Sequence, residues 1–179
     1  VAADLSATLL AVAQRKTQRY AGLLTLVRAD MRQLPFDGCF DAIAQLFTAF
    51  GYFPSDEENA SVFSEVHRAL HPGGRYMLDF LNARAVLDDL RPRSEHTIEG
   101  GRVIQERHVE NGRIVKDITI ETGGTTKHFQ ESVRLFERDE LVAMLIGKGF
   151  EVERTFGTYE GLPFHSAAPR CILLARKRP

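Results

Sequence analysis

The 179 residues carry a formal net charge of −1 and are 44% hydrophobic. That length suits one domain with a real core, and the balanced charge excludes a global field drawing the chain to nucleic acid or to an anionic membrane. Two distant cysteines, Cys39 and Cys171, exclude a disulfide scaffold, match no metal spacing and favour a reducing, cytoplasmic compartment, while no apolar run approaches the ~20 residues that span a bilayer.

The chain opens on Val1 with no signal peptide, which suggests cleavage or truncation. "VAADLS" reads as the tail of a strand. Ser6 is placed to cap a helix whose apolar side is Leu9, Leu10 and Ala13. Leu23 to Ala29 is a short apolar run ending on Asp30, as a strand would. "LPFDGCF" is a turn punctuated by Pro35 and Gly38, and "FDAIAQLF" then reads as a buried strand. Ser55 caps the next helix. The acids Asp56, Glu57 and Glu58 suit its positive end, and Val62, Phe63, Val66 and Leu70 share one face. "HPGG" ends it, "RYMLDFL" is another buried strand, and Ala83 to Leu90 is a short helix.

The pattern then changes. Asn111-Gly112 and Gly123-Gly124 are hairpin signals flanked by β-rich sequence. Ile114, Ile118 and Ile120 fall on one face of the middle strand, with Asp117, Thr119 and Glu121 on the other, which predicts a half-exposed antiparallel meander. "ERDELVAMLIGKGF" returns to helix and stops near Gly149; "EVERTFGTYE" and "CILLARKR" close the chain as strands. The series makes an α/β layer plan with a small β appendage. Ligands in such folds bind outside the carboxyl ends of the parallel strands, which singles out Asp4, Asp30, the segment after Leu46, and Asp79 to Asn82.

A carboxylate at Asp4 suits the two hydroxyls of a ribose, or simply the N-terminal end of a helix. Asp30-Met31 suits an adenine, with an acid for the amino group and an apolar cover for the ring, or simply a turn followed by a core methionine. Together the two acids are more specific, since both stand at carboxyl ends of neighbouring strands about one βαβ unit apart.

"AADLSATLLAVAQ", "RADMRQLPFDGCFDAIAQLFTAFGYF", "ALHPGGRYMLDFLN" and "PRCILLARK" resemble class I S-adenosylmethionine-dependent methyltransferases, most closely those acting on small molecules, including amino-sugar N-methyltransferases. The resemblance covers nearly the whole chain and is most specific from Ala29 to Asn82. It implies a Rossmann-like methyltransferase fold: a mostly parallel sheet with an antiparallel last strand, in a single domain over 1–179 that is N-terminally incomplete. An inserted antiparallel β-meander over 97–136 would serve as a lid or dimerisation subdomain. The cofactor implied is S-adenosylmethionine, with Asp4 and Leu5 at its ribose, Asp30 and Met31 at its adenine, and Leu46 beside its methionine part. Thr48, Gly51, Tyr52 and Phe53 would border a small-molecule acceptor, with Tyr52 and His165 as the catalytic candidates and no metal. The family's Gly-rich loop and first strand, central in its sheet, have no counterpart from Val1 onward.

Methyl transfer from a sulfonium is a direct displacement in which alignment is the protein's main task; N or O of the acceptor is the expected target, with carbon left open. His67, His71, His96, His108 and His128 are candidates by type only. Arg102, Arg107, Arg113 and Lys116 make the insert locally basic, but Glu99, Glu106, Glu110 and Asp117 offset them, so a solvated strand face is expected rather than RNA binding. Two other readings stand beside the enzyme: a non-catalytic methyltransferase-fold binding or dimerisation partner, and a nicotinamide dehydrogenase with Asp4 on an NAD ribose.

Overall fold

The structure, a computed structural model, describes residues 1–178. Strand β1 (Ala2–Asp4) pairs in parallel with β2 (Leu26–Arg28), Ala3 opposite Val27. Helix α1 (Ala7–Lys16) joins them, and the Ser6 hydroxyl accepts from the Leu9 N–H at 3.2 Å. Strand β2 is shorter than the Leu23–Ala29 run predicts. Leu23 and Leu24 donate their amides backward to the Tyr20 carbonyl at 2.9 and 3.2 Å, so neither joins the ladder.

Strand β3 (Phe40–Gln45) runs parallel to β4 (Leu70–Leu81). The last strand, β10 (Arg170–Lys177), is antiparallel to β4, and β9 (Phe150–Phe156) is antiparallel to β10, giving the order β3-β4-β10-β9. The antiparallel last strand is as expected. The single sheet is not: the parallel strands are divided between a two-stranded and a four-stranded sheet, with no ladder between β1 and β3 among the described residues. This is where the resemblance placed a central strand. "FDAIAQLF" accordingly differs from the buried strand predicted for it. With only one edge paired, Asp41, Ala42 and Ala44 of β3 are exposed and Phe40, Ile43 and Gln45 half-buried. Contacts that cross the division include Gln45 Nε2 to Met31 Sδ at 3.5 Å and the Arg32–Glu58 ion pair at 3.1 Å.

Helix α2 (Asp56–Ala69) lies over the larger sheet with Val62, Phe63 and Val66 buried, and the Ser55 hydroxyl accepts from Glu58 N–H. Helix α3 (Ala83–Asp88) is capped by Asn82, and α4 (Arg138–Gly147) starts from a Glu137–Glu140 capping box. Phe50 is the centre of the aromatic core. It stacks on Phe63 at 4.6 Å and meets Phe80 and Phe136 at 6.0 and 5.6 Å. Cys171 on β10 is 2% exposed, and burial pushes its thiol up to about 12, whereas Cys39 is exposed. Since the thiolate is the nucleophile, iodoacetamide at pH 8 is expected to label Cys39 alone in the native protein; peptide mass mapping reads the site.

The insert is a four-stranded antiparallel sheet of β5 (Arg93–Ile98), β6 (Gly101–Glu110), β7 (Arg113–Thr122) and β8 (Thr125–Arg134), so pairing begins at Arg93. Both predicted turns are present, with φ of 50° and 70° at Asn111-Gly112 and 55° and 75° at Gly123-Gly124, the geometry for which such pairs are selected. Ile114, Ile118 and Ile120 do share a face, opposite Val109, Gln105 and Val103 of β6. Among the described residues no helix is long and apolar enough to cross a membrane.

Candidate active site

The carboxyl ends of β1, β2, β3 and β4 hold Asp4, Asp30, the segment from Leu46 to Phe53, and Asp79 to Asn82. Asp4 is exposed, and one of its oxygens accepts from the Ser6 N–H at 2.7 Å, so the carboxylate stands at the positive end of α1. Its second oxygen has the charge and exposure that a ribose diol requires. Leu5 beside it is 60% exposed. Asp30 accepts from the Arg32 guanidinium at 2.8 Å and from the Arg32 backbone N–H at 2.8 Å, and these bonds hold its carboxyl below the usual range. Met31 packs against the core. An acid after β1 and an acid-methionine pair after β2 have the chemistry that the nucleoside half of S-adenosylmethionine would need. Leu46 is 39% exposed at the end of β3, as a wall against the methionine half requires.

The next segment is held from several sides. Gly51 has a φ of +86°, and a Cβ there would lie 3.1 Å from the Arg134 carbonyl and from Val133 Cγ1. The Arg113 guanidinium donates to the carbonyls of Gly51, Tyr52 and Phe53 at 3.0, 3.3 and 3.1 Å, and to the Ser132 hydroxyl at 2.8 Å. Arg113 therefore differs from the solvated basic residue predicted for it. Three consecutive carbonyls of a loop point at one strand residue, and sequence patterning does not show that. The buried Asn59 completes the clamp: its Oδ1 accepts from the Phe53 N–H at 3.2 Å, and its Nδ2 donates to the Phe53 carbonyl at 3.0 Å. Arg32 lies over the Phe53 ring at 4.4 Å, so one guanidinium touches both Asp30 and this loop. Each charge-assisted bond is worth about 1.5–3 kcal/mol. Arg113→Ala is therefore expected to speed hydrogen exchange at the Phe53 amide by tenfold or more, roughly one such bond, while amides paired within β6 and β7 keep their protection.

Tyr52, in the clamped loop, is 44% exposed. Burial first, and the Glu131 carboxylate second, push its phenol above its ordinary value, so it is a hydrogen-bond donor at neutral pH. The structure does not bring it to His165. That residue lines a cleft of about 570 Å³ between α3, the start of α4 and the loop ahead of β10, with Arg84, Asp88, Arg138 and Phe164; Tyr52 does not line it.

Between Leu46 and this loop the chain makes a turn closed by Ala49 N–H to the Leu46 carbonyl at 3.2 Å, with Phe47 and Thr48 at φ of 57° and 61°. Neither residue type favours the left-handed region, which costs roughly 1–2 kcal/mol each. Phe47 is 77% exposed. The turn is gripped by Asp79 on β4 and Arg170 on β10, 91 residues apart in the chain. Sequence alone singles out Asp79 by its place at a strand end; for Arg170 the only signal is a charge at the head of the apolar run "CILLA".

Comparison with known proteins agrees with this geometry. Residues 1–74 match the model of the family described as "Methyltransferase domain". The chain is 31% identical over 170 residues to a demethylmenaquinone methyltransferase of Thermus thermophilus, covering 94% of this chain and 68% of that protein. Among solved structures, an S-adenosylmethionine-dependent methyltransferase from Clostridium acetobutylicum superposes with a TM-score of 0.86 at 17% identity, over 99% of this chain and 74% of that one. A sugar N-methyltransferase from Streptoalloteichus superposes with a TM-score of 0.73 at 22% identity, over 99% and 70%. A nicotinamide dehydrogenase and a non-catalytic partner drop away as readings. With strand-end acids on this fold and this kinship, the chain belongs to the class I S-adenosylmethionine-dependent methyltransferases, and S-adenosylmethionine is its cofactor.

Proposed function

We propose that the protein transfers the methyl group to nitrogen or oxygen of a small polar acceptor held against Thr48, Gly51, Tyr52 and Phe53. The observation that carries this is the half-exposed Tyr52 phenol, presented beside Glu131 from a loop that Arg113 and Asn59 hold rigid. Asp4 and Leu5 would hold the ribose, Asp30 and Met31 the adenine, and Leu46 the methionine part. The bound cofactor supplies an activated methyl group on a sulfonium.

The protein's own part is alignment, which is worth up to ~7–11 kcal/mol when two reactants are held in line. With its pKa raised, Tyr52 stays a neutral phenol that can position the acceptor by hydrogen bonding, rather than the base that takes its proton. His165 stays a catalytic candidate for the proton, since its cleft opens on the same carboxyl edge of the sheet. A small-molecule acceptor also agrees with the sugar N-methyltransferase and demethylmenaquinone methyltransferase among the similar proteins.

The test offers methyl-labelled S-adenosylmethionine together with an amino sugar (glucosamine), a phenol and a demethylmenaquinone. Transfer to glucosamine or the phenol, reduced about tenfold or more in kcat by Tyr52→Phe with little change in cofactor affinity, supports the reading. Transfer to a quinone carbon alone would sink it.

A further inference from the structure

Asp79 is the only fully buried carboxylate among the described residues, 1% exposed, and the cofactor and acceptor assignments above do not use it. A buried charge persists only where its hydrogen bonds are complete. Here four donors converge on two oxygens. Oδ1 accepts from Arg170 Nε at 2.8 Å and Nη2 at 2.5 Å; Oδ2 accepts from the Phe47 N–H at 2.7 Å and the Tyr159 hydroxyl at 2.9 Å. The Asp79 backbone carbonyl accepts from the Thr48 N–H at 3.0 Å, and Arg170 Nη2 donates to the Thr48 hydroxyl at 3.0 Å.

Both left-handed residues of the turn are thus pinned through consecutive amides by one aspartate, and the second is pinned again through its side chain by that aspartate's partner. A two-residue turn of this hand ordinarily uses Asn-Gly or a like pair. Phe47-Thr48 adopts it because the surroundings over-determine it, the pattern in which backbone strain collects at functional sites. The turn follows Leu46 directly and precedes Phe50 to Phe53, so it separates the expected methionine wall from the acceptor loop.

We propose that Asp79 and Arg170, with Tyr159, are positioning residues for methyl transfer. They hold the Leu46–Ala49 turn left-handed and so fix Phe47 and Thr48 as part of the wall at the reacting centre. This rests on the acceptor reading above only in taking that segment as the wall.

Asparagine at position 79 is nearly isosteric but has one acceptor oxygen. It cannot serve both Arg170 on one side and the Phe47 N–H and Tyr159 hydroxyl on the other. Glycine at position 48 accepts the left-handed backbone without strain. The experiment compares wild type, Asp79→Asn, Thr48→Gly and the double variant, with ¹³C-labelled protein and with kinetics on whichever test acceptor is methylated.

In Asp79→Asn the Cα and Cβ shifts of residues 47 and 48 are expected to leave left-handed values, and kcat to fall at least tenfold while the KM for S-adenosylmethionine changes less than threefold. The double variant, whose residue 48 has no Cβ, should recover the left-handed Cα and Cβ shifts of residue 47 and part of kcat relative to Asp79→Asn. A buried pair that serves stability alone would lower the melting temperature equally in both backgrounds and leave kcat per folded molecule unchanged, and that result overturns the proposal. Unchanged shifts in Asp79→Asn overturn it as well. If Asp79→Asn does not fold, Tyr159→Phe and Arg170→Lys, each removing one side of the grip, are judged by the same criteria. If no test acceptor is methylated, the acceptor reading fails by itself, and the shifts and their rescue by glycine decide the positioning role.

Discussion

Asp4→Ala is expected to weaken S-adenosylmethionine binding at least about 100-fold. Two ribose hydroxyls donating to a carboxylate are each worth about 1.5–3 kcal/mol, and every 1.4 kcal/mol is tenfold in Kd. The structure shows why the effect should stay local. Asp4 is exposed, and among the described residues its carboxylate accepts only the neighbouring Ser6 N–H, so its removal leaves the core intact. Ser6 still caps α1 through its own hydroxyl. Titration calorimetry on wild type and variant, with melting curves as the control for folding, reads the difference. Equal affinities would remove Asp4 from the ribose. Asp4→Asn should fall between the two, because it keeps the acceptor and loses the charge.

The second large effect is on stability. Phe50→Ala is expected to cost about 3–5 kcal/mol, a large part of the ~5–15 kcal/mol that holds an ordinary domain together. Phe50 is fully buried and touches three other aromatic rings, one on α2, one on β4 and one just ahead of α4. It also stands immediately before Gly51, so the cavity left behind would undercut the clamped loop from below. A fall in melting temperature of roughly 6–20 °C follows from the size of the chain. Phe50→Leu, which fills most of the volume, should lose much less. A variant that melts within 2 °C of wild type would mean that the aromatic cluster repacks freely.

The elements were legible wherever local chemistry decides them. Ser6 and Ser55 cap the helices assigned to them, both glycine-containing turns fold as their residues demand, and Val62, Phe63 and Val66 lie on the buried face of α2, whereas Leu70, assigned to the same face, already opens β4 together with the "HPGG" expected to end the helix. Errors appear where a residue's environment comes from far along the chain. "FDAIAQLF" has the composition of a central strand, and its exposure follows from pairing with β4 alone among the described residues rather than from its own side chains. Arg113 looked solvated because nearby acids of the insert offset its charge, yet its guanidinium is spent on carbonyls about 60 positions earlier. The left-handed Phe47-Thr48 turn ran against the preference of both residues and became visible only with Asp79 and Arg170 in place. Of the candidate site, the strand-end acids could be read directly, because topology alone delivers them to one edge.

The Arg113 clamp also says how the insert can move. It ties the corner where β7 begins and β8 ends: Arg134 N–H donates to the Gly51 carbonyl at 2.8 Å, Leu135 N–H donates to the Gly112 carbonyl at 2.8 Å, and Val133 is buried there. The far turn at Gly123-Gly124 is exposed. Any swing of the insert would therefore pivot at this corner, beside Gly51 to Phe53. Strand β7 has ten residues, and at ~3.3 Å per residue a tilt of about 10° would carry the far tip by roughly 6 Å while Gly51 to Phe53 barely shift.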